Sequence, residues 1–409
     1  MYQFKVNVSA QEHDAFVKSH PLCNLLQSSD WAKVKENWGN KIVGVYENGK
    51  LVASALVLIK YLPLKFTMFY IPRGPIMDYE NERLVSYFMK ELTKWAKKYN
   101  CLFVKMDPGI HISDYKIKEE RVDNYPICDI AIANMKKAGA IHQGFATYIE
   151  ESIQPRFQAN VYKTDTFMED LPRHTRRLIK DALKRDVKVV KADISRIQEF
   201  ADVVALTEKR KNVALRNQEY FTQLMDIYKE DAYLFLAEVN ISETLERLYK
   251  QQEENNMELA KLGDSSPKKA RRLNDIKNAL EKDIKEFESF DSSMRGNTVI
   301  AGILSIKFGD TMEMLYAGMN DQFKKFMPQY HLYTQNMKYG FEHGCNYANM
   351  GGVEGDLADG LTKFKSNFDP YINEFIGEFD LPVNKVLYGL SQSAYKIRKQ
   401  TLNKRQEKE

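Results

Sequence analysis

Ile42-Val43-Gly44-Val45-Tyr46-Glu47-Asn48-Gly49-Lys50-Leu51-Val52-Ala53-Ser54-Ala55-Leu56-Val57-Leu58-Ile59 is the stretch from which the fold is read. Two β-rich runs flank Asn48-Gly49, a dipeptide that accepts positive φ and matches the twist of a type I′ hairpin. Beyond it, Thr67–Ile71 reads as a further strand and leads into Pro72-Arg73-Gly74-Pro75. Leu84, Phe88, Leu92 and Trp95 recur at helical spacing and predict a helix over 82–98. Leu102–Met106 follows as a buried strand and stops at Asp107-Pro108-Gly109. The order is hairpin, strand, helix, strand.

The second half repeats that order. Tyr233–Val239 is a strand, Thr298–Lys307 and Met312–Ala317 flank Gly309-Asp310, a helix covers 331–343, and Tyr347–Met350 leads to Gly351-Gly352. Two similar α/β halves are therefore expected. Where the first half has Asn48-Gly49, the second carries an insertion at 241–296, rich in Glu, Lys, Arg, Asn and Gln. Its apolar residues, Ile241, Leu245, Leu248, Leu259, Leu262, Leu273, Ile276, Leu280, Ile284, Phe287 and Phe290, fall at coiled-coil spacing on either side of Gly263-Asp264-Ser265-Ser266-Pro267. This predicts an antiparallel helical hairpin projecting from a β-turn, either a solvated structural arm or a device for a large partner.

Composition narrows the function. A chain of 409 residues suggests two or three domains at ~100–200 residues each. With 44% hydrophobic and 28% charged residues it can bury an ordered core. A net charge of +4 on 60 basic and 56 acidic residues excludes a partner chosen by bulk charge, so polyanion contacts must come from local patches. Cys23, Cys101, Cys128 and Cys345 are far apart with no C-x-x-C, which argues against a disulfide scaffold or zinc ribbon, and the 7 His form no H-x-x-x-H. No metal or cofactor is expected. The first residues lack a signal-type apolar stretch, and the run Leu51–Ile59 falls short of the ~20 residues needed to span a bilayer. A cytoplasmic protein is expected, with peripheral membrane contact left open.

The densest basic segment is Arg173, His174, Arg176, Arg177, Lys180, Lys184, Arg185, Lys188 and Lys191. On a helix, Arg173, Arg177, Lys180 and Lys184 share one face, suited to a phosphate-rich ligand or simply to solvent. The tail adds Lys396, Arg398, Lys399, Lys404 and Arg405, a frayed terminus or a contact for anionic lipid. There is no G-x-S-x-G, no Cys–His signature, no G-x-G-x-x-G and no P-loop. An acyl-coenzyme A N-acetyltransferase would need a glycine-rich pyrophosphate loop before the helix at 331. The connection reads Met319-Asn320-Asp321-Gln322-Phe323-Lys324-Lys325-Phe326-Met327-Pro328-Gln329-Tyr330 instead.

Several motifs in order carry a resemblance. Leu26-Gln27-Ser28-Ser29-Asp30-Trp31-Ala32-Lys33-Val34-Lys35-Glu36-Asn37-Trp38, Pro72-Arg73-Gly74-Pro75-Ile76-Met77-Asp78 and Met106-Asp107-Pro108 open the set. Ile153-Gln154-Pro155-Arg156, Arg216-Asn217-Gln218-Glu219-Tyr220-Phe221 and Tyr316-Ala317-Gly318 continue it. Gly351-Gly352-Val353, Phe364-Lys365 and Phe375-Ile376-Gly377-Glu378-Phe379-Asp380 close it. Together they resemble the FemABX family of tRNA-dependent aminoacyltransferases over nearly the whole chain, nearest to its streptococcal MurM and MurN members.

The resemblance implies an α/β (α+β) chain of two GNAT-like domains. The first would span 1–152, joined by the C-terminal segment 381–409; the second would span 153–380, with the coiled-coil arm 241–296 inserted. It implies transfer of Ala or Ser from aminoacyl-tRNA to the stem-peptide lysine of a peptidoglycan precursor, either lipid II or the UDP-linked muropeptide. The ester donor is already activated and the nucleophile belongs to the acceptor, which agrees with the absence of an ATP site and of a nucleophilic Ser or Cys motif. By family match, Lys35 and Arg216 hold the acceptor's pyrophosphate, with Trp38 and Tyr220 lining that site. Lys365, after Phe364, faces the ester carbonyl; Tyr316 donates a hydrogen bond nearby; Asp107 is the base or orients the amine. Arg173, Arg176, Arg177, Lys180 and Lys184 would meet tRNA. The sequence departs from some members at Met314 and Leu102, where they carry aromatic residues. Two other readings stay open: a non-catalytic module binding structured RNA, and the N-acetyltransferase.

Overall fold

The computed structural model of the protein describes residues 1–122, 125–211, 216–262, 266–291 and 294–392. The Gly263-Asp264-Ser265 break and the tail cations Lys396, Arg398, Lys399, Lys404 and Arg405 lie outside the described residues.

Hydrophobic alternation and turn chemistry build two eight-stranded sheets. In the first, the order is Tyr2–Val6, Gly39–Glu47, Lys50–Tyr61, Thr67–Ile71, Cys101–Met106, Phe379–Pro382 and Ile141–His142, with Ile76–Met77 paired to Lys50–Tyr61. The hairpin closes at Asn48 (φ 50°) and Gly49 (φ 81°), the doubly left-handed pair a type I′ turn requires. In the second, the order is Lys188–Ala192, Ala232–Asn240, Asn297–Phe308, Thr311–Met319, Tyr347–Val353, Phe157–Tyr162, Tyr371–Phe375 and His111–Lys116.

Each sheet has one parallel pair among antiparallel neighbours. Thr67–Ile71 runs parallel to Cys101–Met106 across the helix Glu82–Lys97; Thr311–Met319 runs parallel to Tyr347–Val353 across the helix Pro328–Glu342. The second pair bonds only from Thr311 to Glu313, then splays: Met314 onward follows Asn297–Phe308, while Gly352 and Val353 follow Phe157–Tyr162. The first pair ends at Ile71 opposite Met106, directly before Arg73 and Asp107. A hairpin, a strand, a helix and a parallel strand thus recur in both halves, one α/β unit used twice.

Asn240 stands opposite Asn297 in the ladder where the arm leaves the second sheet. Its helices, Ile241–Leu262 and Pro267–Glu288, bury Leu245, Leu248, Leu273, Leu280, Ile284 and Phe287. Ile276, expected in that seam, is 37% exposed; buried Asn255 instead donates to the Leu273 carbonyl at 3.1 Å. A helix carbonyl has a second lone pair, so this carboxamide finds a partner inside the seam and its burial is compensated.

Two strands lie in the sheet of the other half. His111–Lys116 crosses to the second sheet beside Tyr371–Phe375, and Phe379–Pro382 returns to the first, between Cys101–Met106 and Ile141–His142. Each crossing strand supplies hydrogen-bond partners to strands of the other half, which would otherwise present unpaired backbone groups. A shared core seals the halves: Val17, Leu25 and Trp31 from the first pack with Phe221, Leu304 and Phe308 from the second.

Candidate active site

Two cations meet at the junction of the halves. Lys35 closes the short helix Trp31–Val34, and Arg216 precedes the helix Gln218–Tyr228, whose cap Asn217 accepts from the Tyr220 N–H at 3.2 Å. The two helices are tied by the Gln223 carboxamide, which donates to the Lys33 carbonyl at 3.1 Å. Burial, then the Arg216 charge, hold the Lys35 ammonium below its ordinary range. Among the described residues no carboxylate lies within ion-pair distance of Lys35 or Arg216. Like charges held together without a counter-charge form a site for an anion.

Aromatic rings frame that pair. The Lys35 ammonium lies 5.2 Å from the Trp31 ring centre and the Arg216 guanidinium 5.0 Å from that of Tyr220. The Tyr316 hydroxyl donates to that of Tyr220 at 3.4 Å. Tyr316, expected near the ester carbonyl, stands past the point where its strand parts from Tyr347–Val353 and touches Tyr220 of the Lys35–Arg216 group. Trp38 stands 6.5 Å from the Tyr70 ring, and Tyr70 lies beside Asp107.

The first splay holds a buried ion pair. Asp107 and Arg73 are each 2% exposed. The Arg73 N–H donates to Asp107 Oδ1 at 3.1 Å, while its Nε stands 3.7 Å from Oδ2, a charge contact without a hydrogen bond. Arg73 Nη2 donates to the Pro155 carbonyl at 2.7 Å, and its guanidinium lies 4.1 Å from the Phe375 ring centre. Burial pushes the Asp107 carboxyl up to about 7, against the pull of Arg73. Glu313, the last residue before the second splay, is also pushed up to about 7 by burial, opposed by the Asn349 carboxamide and Arg73.

Pro155 leads to the third element. It packs so closely on Gly352 that an added Cβ would come within 2.5 Å of its ring. The Gly352 carbonyl accepts from Lys365 Nζ at 2.7 Å. Lys365 ends the helix Gly360–Lys365, whose cap Asp359 accepts from the Leu361 and Thr362 N–H groups, and it is 4% exposed. Phe364 is wedged among Tyr330, Tyr333 and Phe368 at ring separations of 5.2–5.7 Å, a rigid seat for the following lysine. Contacts thus run without a break from Lys35 through Trp38, Tyr70, Asp107, Arg73, Pro155 and Gly352 to Lys365.

The basic helix Arg173–Lys184 turns Leu178, Ile179 and Ala182 inward and leaves Arg173, Arg176, Arg177, Lys180 and Lys184 exposed. Its Thr175 hydroxyl donates to the Asn367 carbonyl, two residues after Lys365. Leu102 and Met314, the two departures from the family pattern, are buried core residues. The four cysteines are free and buried, and no three His, Cys, Asp or Glu side chains among the described residues are placed to hold a metal. The sequence reading assigned no role to Arg73 or Glu313. The signal for Arg73 was its place in Pro72-Arg73-Gly74-Pro75 after a strand; for Glu313 it was an acid inside an apolar strand.

The site thus sets two cations without a carboxylate partner at one end of this run of contacts and a buried lysine at the other, on an α/β scaffold. A model of the FemAB family matches residues 8–396, and the chain belongs to that family and is an aminoacyltransferase. It is 30% identical over 94% of its length, and 94% of theirs, to the "Lipid II:glycine glycyltransferase" of Staphylococcus aureus strains bovine RF122 / ET3-1 and USA300. A solved structure described as "Crystal structure of FemX" superposes with a TM-score of 0.76 at 29% identity, covering 95% of this chain and 99% of that one.

Proposed function

We propose that this protein moves a small amino acid from aminoacyl-tRNA to the stem-peptide lysine amine of lipid II, forming branches in peptidoglycan. The observation that carries the reading is Lys35 beside Arg216 without a carboxylate, joined by continuous contacts to buried Lys365. A pyrophosphate supplies the missing counter-charge, with Arg offering a planar fork and Lys a point charge. Trp38 and Tyr220 line that site. The amine attacks the ester carbonyl, a tetrahedral oxyanion forms, and the tRNA ribose hydroxyl leaves with a proton. The Lys365 ammonium stabilises the oxyanion, Asp107 takes the amine proton or orients the amine, and Phe364 fixes Lys365. Tyr316, in contact with Tyr220, donates a hydrogen bond near the ester carbonyl where the two substrates meet. The face Arg173, Arg176, Arg177, Lys180 and Lys184 meets tRNA phosphates near the Lys365 helix. The relatives' name specifies glycine and lipid II; for this chain the resemblance of its motifs to streptococcal members of the family points to Ala or Ser.

Purified protein given lipid II and tRNAs charged with Gly, Ala or Ser, with products weighed by mass spectrometry, tests this. Gain of one amino acid from Ala- or Ser-tRNA is expected. No transfer to lipid II or to the UDP-linked muropeptide from any charged tRNA refutes the reaction. Lys365→Met tests the role given to that lysine: the variant is expected to lose orders of magnitude in rate while keeping tRNA affinity, and an unchanged rate removes Lys365 from the chemistry.

A further inference from the structure

The turn between Lys50–Tyr61 and Thr67–Ile71 exposes apolar side chains at the edge of the proposed acceptor site. Leu64 is 86% exposed and Tyr61 67%, and Lys60, Pro63 and Lys65 are also at the surface. Leu64 (φ 59°) and Lys65 (φ 61°) both occupy the left-handed region that glycine or asparagine would adopt with less strain. The turn is nevertheless well closed, by Leu62 N–H to the Phe66 carbonyl at 2.9 Å and Phe66 N–H to that of Pro63 at 3.3 Å. A leucine held outward on a strained, ordered turn adds nothing to the core and exposes apolar surface at a cost.

Its place supplies the occupant. The Tyr61 hydroxyl sits over Gly39, where an added Cβ would come within 2.6 Å, and the Lys60 ammonium lies 5.5 Å from the Trp38 ring centre. The turn therefore adjoins the Lys35–Trp38–Arg216 group. Among the described residues no carboxylate pairs with Lys60 or Lys65. We propose that residues 60–66 dock the protein on an anionic lipid bilayer, with Leu64 and Tyr61 entering the interfacial layer and Lys60 and Lys65 meeting lipid phosphates. This rests on the proposed lipid-linked acceptor: a pyrophosphate carried on a membrane-embedded chain stays in the headgroup plane, so the rim of its site must reach that plane. Aromatic and aliphatic tips flanked by lysines are the chemistry of such interfacial contacts.

The test is co-sedimentation of the full chain with vesicles of phosphatidylcholine alone and of phosphatidylcholine mixed with phosphatidylglycerol, without acceptor or tRNA. The wild type is expected to prefer the anionic vesicles. Leu64→Asp should lower partitioning about ten-fold, with a melting curve matching wild type because Leu64 touches no core. Lys60→Glu with Lys65→Glu should erase the preference for phosphatidylglycerol, and Leu64→Trp should strengthen binding. Wild type that ignores anionic vesicles, or Leu64→Asp that binds them as well as wild type, overturns the proposal. An inactive protein that still docks through Leu64 supports the docking turn and removes the acceptor reading instead. Transfer to lipid II in vesicles that is indifferent to Leu64→Asp removes the docking turn alone.

Discussion

Asp107 sits where a carboxylate is least comfortable, 2% exposed, with one oxygen outside hydrogen-bond reach of any described partner. Its folded value of about 7 lies above the ~3.9 of an unfolded aspartate. Its contribution to stability is therefore full below about pH 4 and fades as pH rises toward 7. Activity runs the other way, since the anion is the form that accepts a proton or orients an amine. kcat/KM is expected to rise with pH through about 7, and Asp107→Asn should flatten that limb while lowering the rate. Glu313 titrates in the same range, so Glu313→Gln is the control: loss of the limb in that variant alone would move the role to Glu313. Gly352 poses a steric question. Gly352→Ala drives a methyl into Pro155 and displaces the carbonyl that holds Lys365, so a loss of about 1–3 kcal/mol is expected, read as a lower urea midpoint, with a matching fall in kcat.

At the scale of elements, what the residues reveal depends on whether the signal is local. The Asn48-Gly49 hairpin, the helix Glu82–Lys97 and the arm were legible because periodicity and turn residues act over a few positions. Ile276 misled because its spacing fits a seam that Asn255 fills by bonding the Leu273 carbonyl, a contact between helices. The contact of Tyr316 with Tyr220 had no local signal either, since it is set by where two strands part. The Arg73–Asp107 pair joins residues just past the ends of two separate strands, and while Pro72-Arg73-Gly74-Pro75 marks a turn, nothing local shows which partner Arg73 meets. The basic helix was legible as amphipathic, and its proximity to the Lys365 segment became visible only through Thr175 and Asn367. If that face meets RNA, Arg173→Glu with Arg177→Glu should raise KM for charged tRNA about ten-fold or more and reduce the salt dependence of binding, leaving the melting temperature near wild type. An unchanged KM and salt slope would make it a solvated face.

For the whole molecule the decisive fact is the exchange of strands. His111–Lys116 completes the second sheet and Phe379–Pro382 the first, so neither half owns all its strands, and Trp31 lies in a core shared with Phe221 and Phe308. A crossing strand left without its sheet would expose unpaired backbone groups and apolar surface together. The halves should therefore unfold as one unit although the length allows two domains. Of the three tryptophans, Trp95 lies in the core of the first half and Trp31 and Trp38 at the core the halves share, so their fluorescence reports the first half and the junction, whereas far-ultraviolet circular dichroism also reports the second half and its arm. Urea titrations followed by both signals are expected to share one midpoint, and a fragment ending at residue 152 should lack cooperative unfolding. Separated midpoints, or a fragment 1–152 that melts sharply, would show that the crossing strands decorate two independent domains. The distance between the Lys35–Arg216 group and Lys365 would then be set by a hinge instead of a shared core.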